Sequence, residues 1–214
     1  MAELDRDRIA AAALSIANKR GVRGFSMRAV ADALGVTPMA LYHHVKDKAT
    51  LAALVVDAAI RKNPLPAPTG VWQDDMFAMA KWMRDNTLNC PVLTHLRREF
   101  NVWTPSMLRT TEQWLSLWRQ SGLPDEQAST AAVASSMAIT GLVHEEAHYR
   151  TMKLPHAATL KSFPDARAVF RAPQNRDAQF ELTVRALIEG LHKRLLPAPV
   201  RARRKVKSSR LSSF

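Results

Sequence analysis

Three groups of residues in this 214-residue chain could carry chemistry. The first lies in residues 37–48, T-P-M-A-L-Y-H-H-V-K-D-K. Thr37, His43 and His44 offer hydrogen-bonding groups from one short stretch, and Met39 and Ala40 offer apolar contacts that suit a thymine methyl in a DNA groove. For the two histidines, a solvated helix face is the competing reading. The second group is His144-Glu145-Glu146-Ala147-His148, an H-E-x-x-H pattern. On a helix it sets two imidazoles one turn apart beside a carboxylate, the arrangement of zinc peptidases. No third ligand spacing follows it, and the milder readings are a lining for an effector pocket, binding a metal or a metal-chelated ligand, or a structural, partly solvated pair. The third is a concentration of Trp72, Trp82, Trp103, Trp114 and Trp118 beside Met76, Met79, Met83 and Met107. Such residues usually form core. Flat indoles and polarizable thioethers also make adaptable walls for a mostly apolar ligand.

The first group needs a scaffold, and its flanks supply one. Ser26 is a good helix N-cap, Val30, Ala31 and Leu34 share a face, and Gly35 stands where a left-handed C-cap is required. Thr37 caps the next helix and Pro38 takes its first position, where no N–H is needed. That short helix carries Met39, Ala40, Tyr42, His43 and His44, and Asp47 caps a third beginning at Lys48. Two brief helices across a Gly-containing turn form a helix-turn-helix, whose second helix enters the major groove.

The run S-M-R-A-V-A-D-A-L-G-V-T-P-M-A-L-Y-H-H-V-K-D-K, residues 26–48, resembles the DNA-binding signature of the tetracycline-repressor (TetR) family. The helices expected over residues 5–20 and 48–62 fit the same family. The resemblance implies that Arg28 reaches a base edge or a phosphate; its planar fork suits guanine. It implies that Tyr42 and Lys48 contact phosphates, which fix position rather than sequence. Residues Thr37, Pro38, Met39, His43 and His44 complete the expected DNA-binding set. The chain departs from the tetracycline repressor itself around residues 38–40, so an operator sequence does not carry over. The resemblance extends weakly over residues 72–149. It implies an effector pocket in a helical domain, with Met79, Trp82, Met83, Trp103, Met107, Trp114, Trp118, Met137 and His144 as candidate lining. The polar residues that hold the drug in the tetracycline repressor are not matched, and tetracycline is not the expected ligand.

Composition agrees. Hydrophobic residues make up 47% of the chain, which marks it as globular. The nearly apolar run at 131–143 falls short of the ~18 residues a membrane span needs, and the charged N-terminus lacks a signal-peptide core. The one cysteine, Cys90, excludes an internal disulfide and fits a reducing cytoplasm. It reads as a small core or loop residue. The formal net charge is +12. Residues 1–62 hold ten Lys or Arg against six Asp or Glu, and residues 201–210 hold six basic residues and no acid. Both are plausible phosphate partners; for the second, a solvated, disordered tail is the alternative.

In order, the pattern predicts an amphipathic helix at 5–20 with Ile9, Ala12, Ala13, Ile16 and Ala17 inward, and Phe25 plugging a three-helix core. The helix at 48–62 is apolar on most sides and expects burial on two faces. It is the one element that reaches both groove helix and pocket by sequence. Three prolines and a glycine in 63–70 form a stiff connector. Further helices are expected at 72–89, 91–100, 105–121, 125–151 and 177–195, with 152–175 irregular or holding one turn of helix. No period-2 strand or internal repeat is present. The Ala/Ser-rich face of the long helix (Ala128, Ala131, Ala132, Ser135, Ser136, Ala138) allows close helix approach. It serves either packing within one subunit or the four-helix dimer interface that the resemblance implies.

The expected architecture is all-α: a helix-turn-helix domain (1–62), a connector (63–70), an effector-binding and dimerisation domain (71–196) and a basic tail (197–214). The function expected is a cytoplasmic, homodimeric one-component regulator, a repressor binding a palindromic double-stranded operator and released by a small-molecule effector. No catalytic residue, metal or cofactor is assigned, and no membrane partner. The alternative is a zinc-dependent hydrolase using His144, Glu145 and His148.

Overall fold

Capping side chains set where the helices begin. In the computed structural model, which describes residues 4–153, 155–172 and 175–197, Asp5 accepts a bond from Arg8 N at 2.8 Å and opens α1 (Arg6–Gly24). Ser26 accepts from Ala29 N at 3.2 Å and opens α2 (Met27–Leu34). Thr37 and Asp47 do the same for α3 (Pro38–Tyr42) and α4 (Lys48–Lys62), at 3.2 and 2.6 Å. Each such cap stabilises its helix by about 1 kcal/mol. Gly35 ends α2 in the left-handed region, φ 66°, as the turn requires. Gly21, φ 64°, breaks α1 before its last turn. The groove helix is shorter than the sequence suggests: it closes at Tyr42, and His43 and His44 form the turn after it.

Seven more helices follow: α5 (Trp72–Asn89), α6 (Pro91–Glu99), α7 (Pro105–Gln120), α8 (Asp125–Tyr149), α9 (Ala157–Leu160), α10 (Pro164–Arg171) and α11 (Arg176–Leu195). The described residues contain no strand, so the chain is all-α. The segment expected to be irregular, 152–175, holds two short helices, because His156 caps α9 and Pro164 takes the first position of α10. The basic run at 201–210, and all of 198–214, lies outside the described residues.

Two apolar cores organise the helices. The first gathers Ile9, Ala13, Phe25, Val30, Leu41, Leu51 and Val55 and extends to Val92 and Leu96 of α6 and Met107 of α7. Leu41 is the inward anchor of the short groove helix, fully buried, which contributes about 1.5–3 kcal/mol. The second core joins α5, α7, α8 and α11 around Met76, Met79, Trp118, Ile139 and Ile188. There Ser135 of α8 accepts the indole N–H of both Trp114 (3.1 Å) and Trp118 (3.0 Å) while donating to Ala131 O. The small residues Ala128, Ala131 and Ser135 are thus buried within the chain, and Ala138 faces solvent.

The connector is held by one carboxylate. Asp75, buried in the first turn of α5, accepts from Thr69 N (2.6 Å), Thr69 Oγ1 (2.7 Å) and Gly70 N (3.2 Å). Those bonds, the Thr69 backbone N–H foremost, hold its carboxyl below the usual range. Trp82 Nε1 donates to Asn63 O at 3.2 Å and pins the other end of the connector.

Candidate nucleic-acid interface and ligand cavity

The α2–turn–α3 unit buries its apolar side and leaves its polar side to solvent. Arg28, Thr37, Pro38, Met39, Tyr42 and His43 are exposed, Met39 by 67%. His44 and Lys48 are half-buried. An exposed methionine beside an exposed tyrosine on a helix anchored from below by Leu41 is poised to enter a groove. Lys48 is placed differently from a free surface cation: its Nζ lies 5.1 Å from the centre of the Phe100 ring, just past α6. Phe100 in turn packs against Phe25, ring centres 6.1 Å apart.

Behind this unit, α4, α5, α6, α7 and α8 enclose a mostly apolar cavity of about 500 Å³. Of the sequence candidates, Trp82, Met83, Trp103, Met107, Trp114 and Met137 line it. Met79 and Trp118 are fully buried in the second core instead, and His144 lies outside the lining. Met79 and Met83 are one helical turn apart, yet one faces core and the other the cavity. The cavity wall also takes in residues that the sequence did not single out: Val56 and Ile60 of α4, and Leu93, Thr94 and Arg97 of α6. A second depression, about 610 Å³, lies between the end of α4, the connector and α7. Its lining includes Arg61, Arg109 and Glu112 and no tryptophan or methionine, which suits solvent better than an apolar ligand.

The H-E-x-x-H segment has another task. Arg84 of α5, 4% exposed, donates from Nε (2.6 Å) and Nη2 (2.8 Å) to the two Glu146 oxygens and from Nη1 (2.8 Å) to Asp177 of α11. Its guanidinium also lies over the Phe180 ring at 4.8 Å. Arg84 holds the Glu146 carboxyl below its ordinary range, and Arg84 ties α5, α8 and α11 together. His144 is pushed down by burial and then by Arg98, Arg97 and His95. Among the described residues no group of three or more His, Cys, Asp or Glu side chains is arranged to hold a metal ion. The hydrolase alternative finds no support in this geometry. No helix among the described residues is long and apolar enough to cross a membrane.

Comparison with known proteins places these two regions. Residues 9–55 match the family model described as bacterial regulatory proteins, tetR family, and residues 63–195 match the tetracyclin repressor-like C-terminal domain. The HTH-type transcriptional repressor DrrR1 of Streptomyces coeruleorubidus is 32% identical over 69% of this chain. That alignment spans 57% of DrrR1's own length. An HTH-type transcriptional regulator of Saccharopolyspora erythraea is 27% identical, covering 88% of this chain and 87% of its own. Among solved structures, the TetR family protein ActR of Streptomyces coelicolor in complex with (S)-DNPA superposes with a TM-score of 0.68 at 28% identity. It covers 89% of this chain and 98% of ActR. The reading head, the helical domain behind it and both family matches converge: this chain belongs to the TetR family, a DNA-binding transcription regulator and not an enzyme.

Proposed function

We propose that the chain is a cytoplasmic, homodimeric repressor that binds a palindromic operator and is released from it by a small, mostly apolar effector. One observation carries this reading: α4 begins at Lys48 beside the groove helix and forms cavity wall at Val56 and Ile60. A ligand that displaces α4 therefore moves the reading head. Residues 1–62 act as the DNA-binding part, 63–70 as the connector and 71–196 as the effector and dimerisation part. Dimerisation is supported by a large apolar residue left exposed on α11 outside the cavity lining, Leu182. In the dimer the two groove helices stand about 34–36 Å apart to meet successive major grooves. Arg28, Met39 and His44 read bases; Tyr42 and Lys48 hold phosphates.

The test uses operator-bound protein and compounds that displace N-phenyl-1-naphthylamine from the cavity. Effectors among them lower operator affinity by roughly 5–150-fold, the range of ordinary allosteric coupling. If every cavity-filling compound leaves operator affinity unchanged, the helical domain is a dimerisation module and the release reading fails.

A further inference from the structure

Arg97 is the one charged side chain among the described residues lining the 500 Å³ cavity, and no carboxylate lines it. It sits in the last turn of α6, exposed to solvent at the cavity wall. Several other cations of this domain are paired with carboxylates: Lys81 with Asp85, Arg84 with Glu146 and Asp177, Arg119 with Asp125, Arg150 with Glu146, and Arg185 with Glu181 and Asp74. The Arg97 side chain has no hydrogen-bond or ion-pair partner among the described residues; only its backbone carbonyl is engaged, accepting from Val102 N. Surrounding protein lowers its proton affinity, and no neighbouring anion offsets that effect. Outside the lining, His144 of α8 is pushed down first by burial and then by Arg98, Arg97 and His95 of α6, with Glu145 opposing. The planar fork of Arg97 matches a carboxylate bidentately, and a ligand that shields Arg97 from water on binding is favoured if it supplies one.

We infer that the effector is an amphipathic acid: an apolar body against Trp82, Met83, Trp103 and Trp114, and one anionic group paired with Arg97. The inference rests on the reading of this cavity as the effector site, and goes further by naming the effector's charge. Thr94, one turn before Arg97 on α6 and also in the lining, is placed to donate a second hydrogen bond to the same group. A neutral ligand of the same shape forgoes the pairing with Arg97 and binds more weakly.

Two fluorescent probes with the same ring system separate the two ideas. 1-Anilinonaphthalene-8-sulfonate carries an anion; N-phenyl-1-naphthylamine lacks it. Both are titrated, separately and in competition, into the full chain and into Arg97→Met and Arg97→Lys. The expected result is mutual displacement at one site per chain. Arg97→Met then weakens the sulfonate about 10–100-fold, as loss of a charge-assisted pair does, and leaves the neutral probe within about twofold. Arg97→Lys recovers part of the sulfonate affinity. Unchanged neutral-probe binding also certifies that Arg97→Met is folded. Equal loss of both probes, or loss of neither, overturns the anion inference while the cavity remains a ligand site. Saturable binding of neither probe to the unaltered chain overturns the cavity reading itself, and this inference with it.

Discussion

The Lys48 ammonium rests 5.1 Å from the centre of the Phe100 ring, which joins the first residue of α4 to the end of α6. Both helices line the ligand cavity, at Val56 and Ile60 and at Leu93, Thr94 and Arg97. A cation held over a ring at a partly exposed site gains about 0.5–1 kcal/mol, enough to bias where Lys48 points. Phe100→Leu is expected to keep the fold, since Leu fills most of the space against Phe25. It should reduce the ratio of operator affinities without and with effector by a few-fold. Gel-shift titrations with and without ligand measure that ratio, and an unchanged ratio would show that α6 does not take part.

The groove helix predicts two kinds of DNA defect. Tyr42→Ala and Lys48→Ala should weaken binding to every sequence, as lost phosphate contacts do, and Lys48→Ala, which removes a charge, should also flatten the salt dependence by about one counterion. Arg28→Ala and His44→Ala should instead alter which operator is preferred, at about 1–3 kcal/mol of discrimination for a good base contact. Wild-type behaviour of all four variants on a selected operator would remove the assignment of the reading head.

Glu146 predicts a large stability defect without any change in DNA chemistry. Glu146→Ala leaves Arg84 buried with only Asp177 and the Phe180 ring, and is expected to cost about 3 kcal/mol. The double variant Arg84→Met/Glu146→Leu removes the stranded charge and should regain most of that loss. Chemical denaturation of the three proteins checks the order. A Glu146→Ala midpoint equal to that of the unaltered chain would mean the pair is not buried in solution.

Acid should loosen the same framework. The carboxyls of Asp75 and Glu146 are both held below their ordinary values of 3.8 and 4.5. Their stabilising contributions are therefore complete above those values and fade as pH falls through the lower folded ones. Stability should be flat with respect to these two groups from pH 7 to about 5 and drop below about 4. Asp75→Asn should flatten part of that drop, measured as the denaturation midpoint against pH. An identical acid profile in the variant would place the connector's anchor elsewhere.

The local parts of this structure were legible in the sequence because their causes are local. Ser26, Thr37 and Asp47 cap as their positions predict, and Gly35 takes the left-handed turn. Prolines misled in one segment: Pro164 starts a helix in a stretch read as irregular, since proline breaks a helix interior but suits its first turn. Non-local facts were hidden. Arg84 meets Glu146 across 62 positions, and no spacing rule spans that distance. Helical periodicity placed Met79 and Met83 on one face but could not say that core ends and cavity begins between them. Arg97 was not singled out in the sequence, because only the folded chain shows that it lines a mostly apolar cavity without a carboxylate. The role of α6 in both core and cavity was missed for the same reason: a nine-residue helix gives too short a pattern to reveal two buried sides.

Selection from a random duplex library by the full chain tests the central claim most directly. The account predicts enrichment of an inverted repeat whose half-site centres lie about one DNA turn, roughly 34–36 Å, or a multiple of it apart. It also predicts two chains bound per duplex, and loss of enrichment in Tyr42→Ala/Lys48→Ala. A library left unenriched, or an enriched site with a single half and one bound chain, would contradict it.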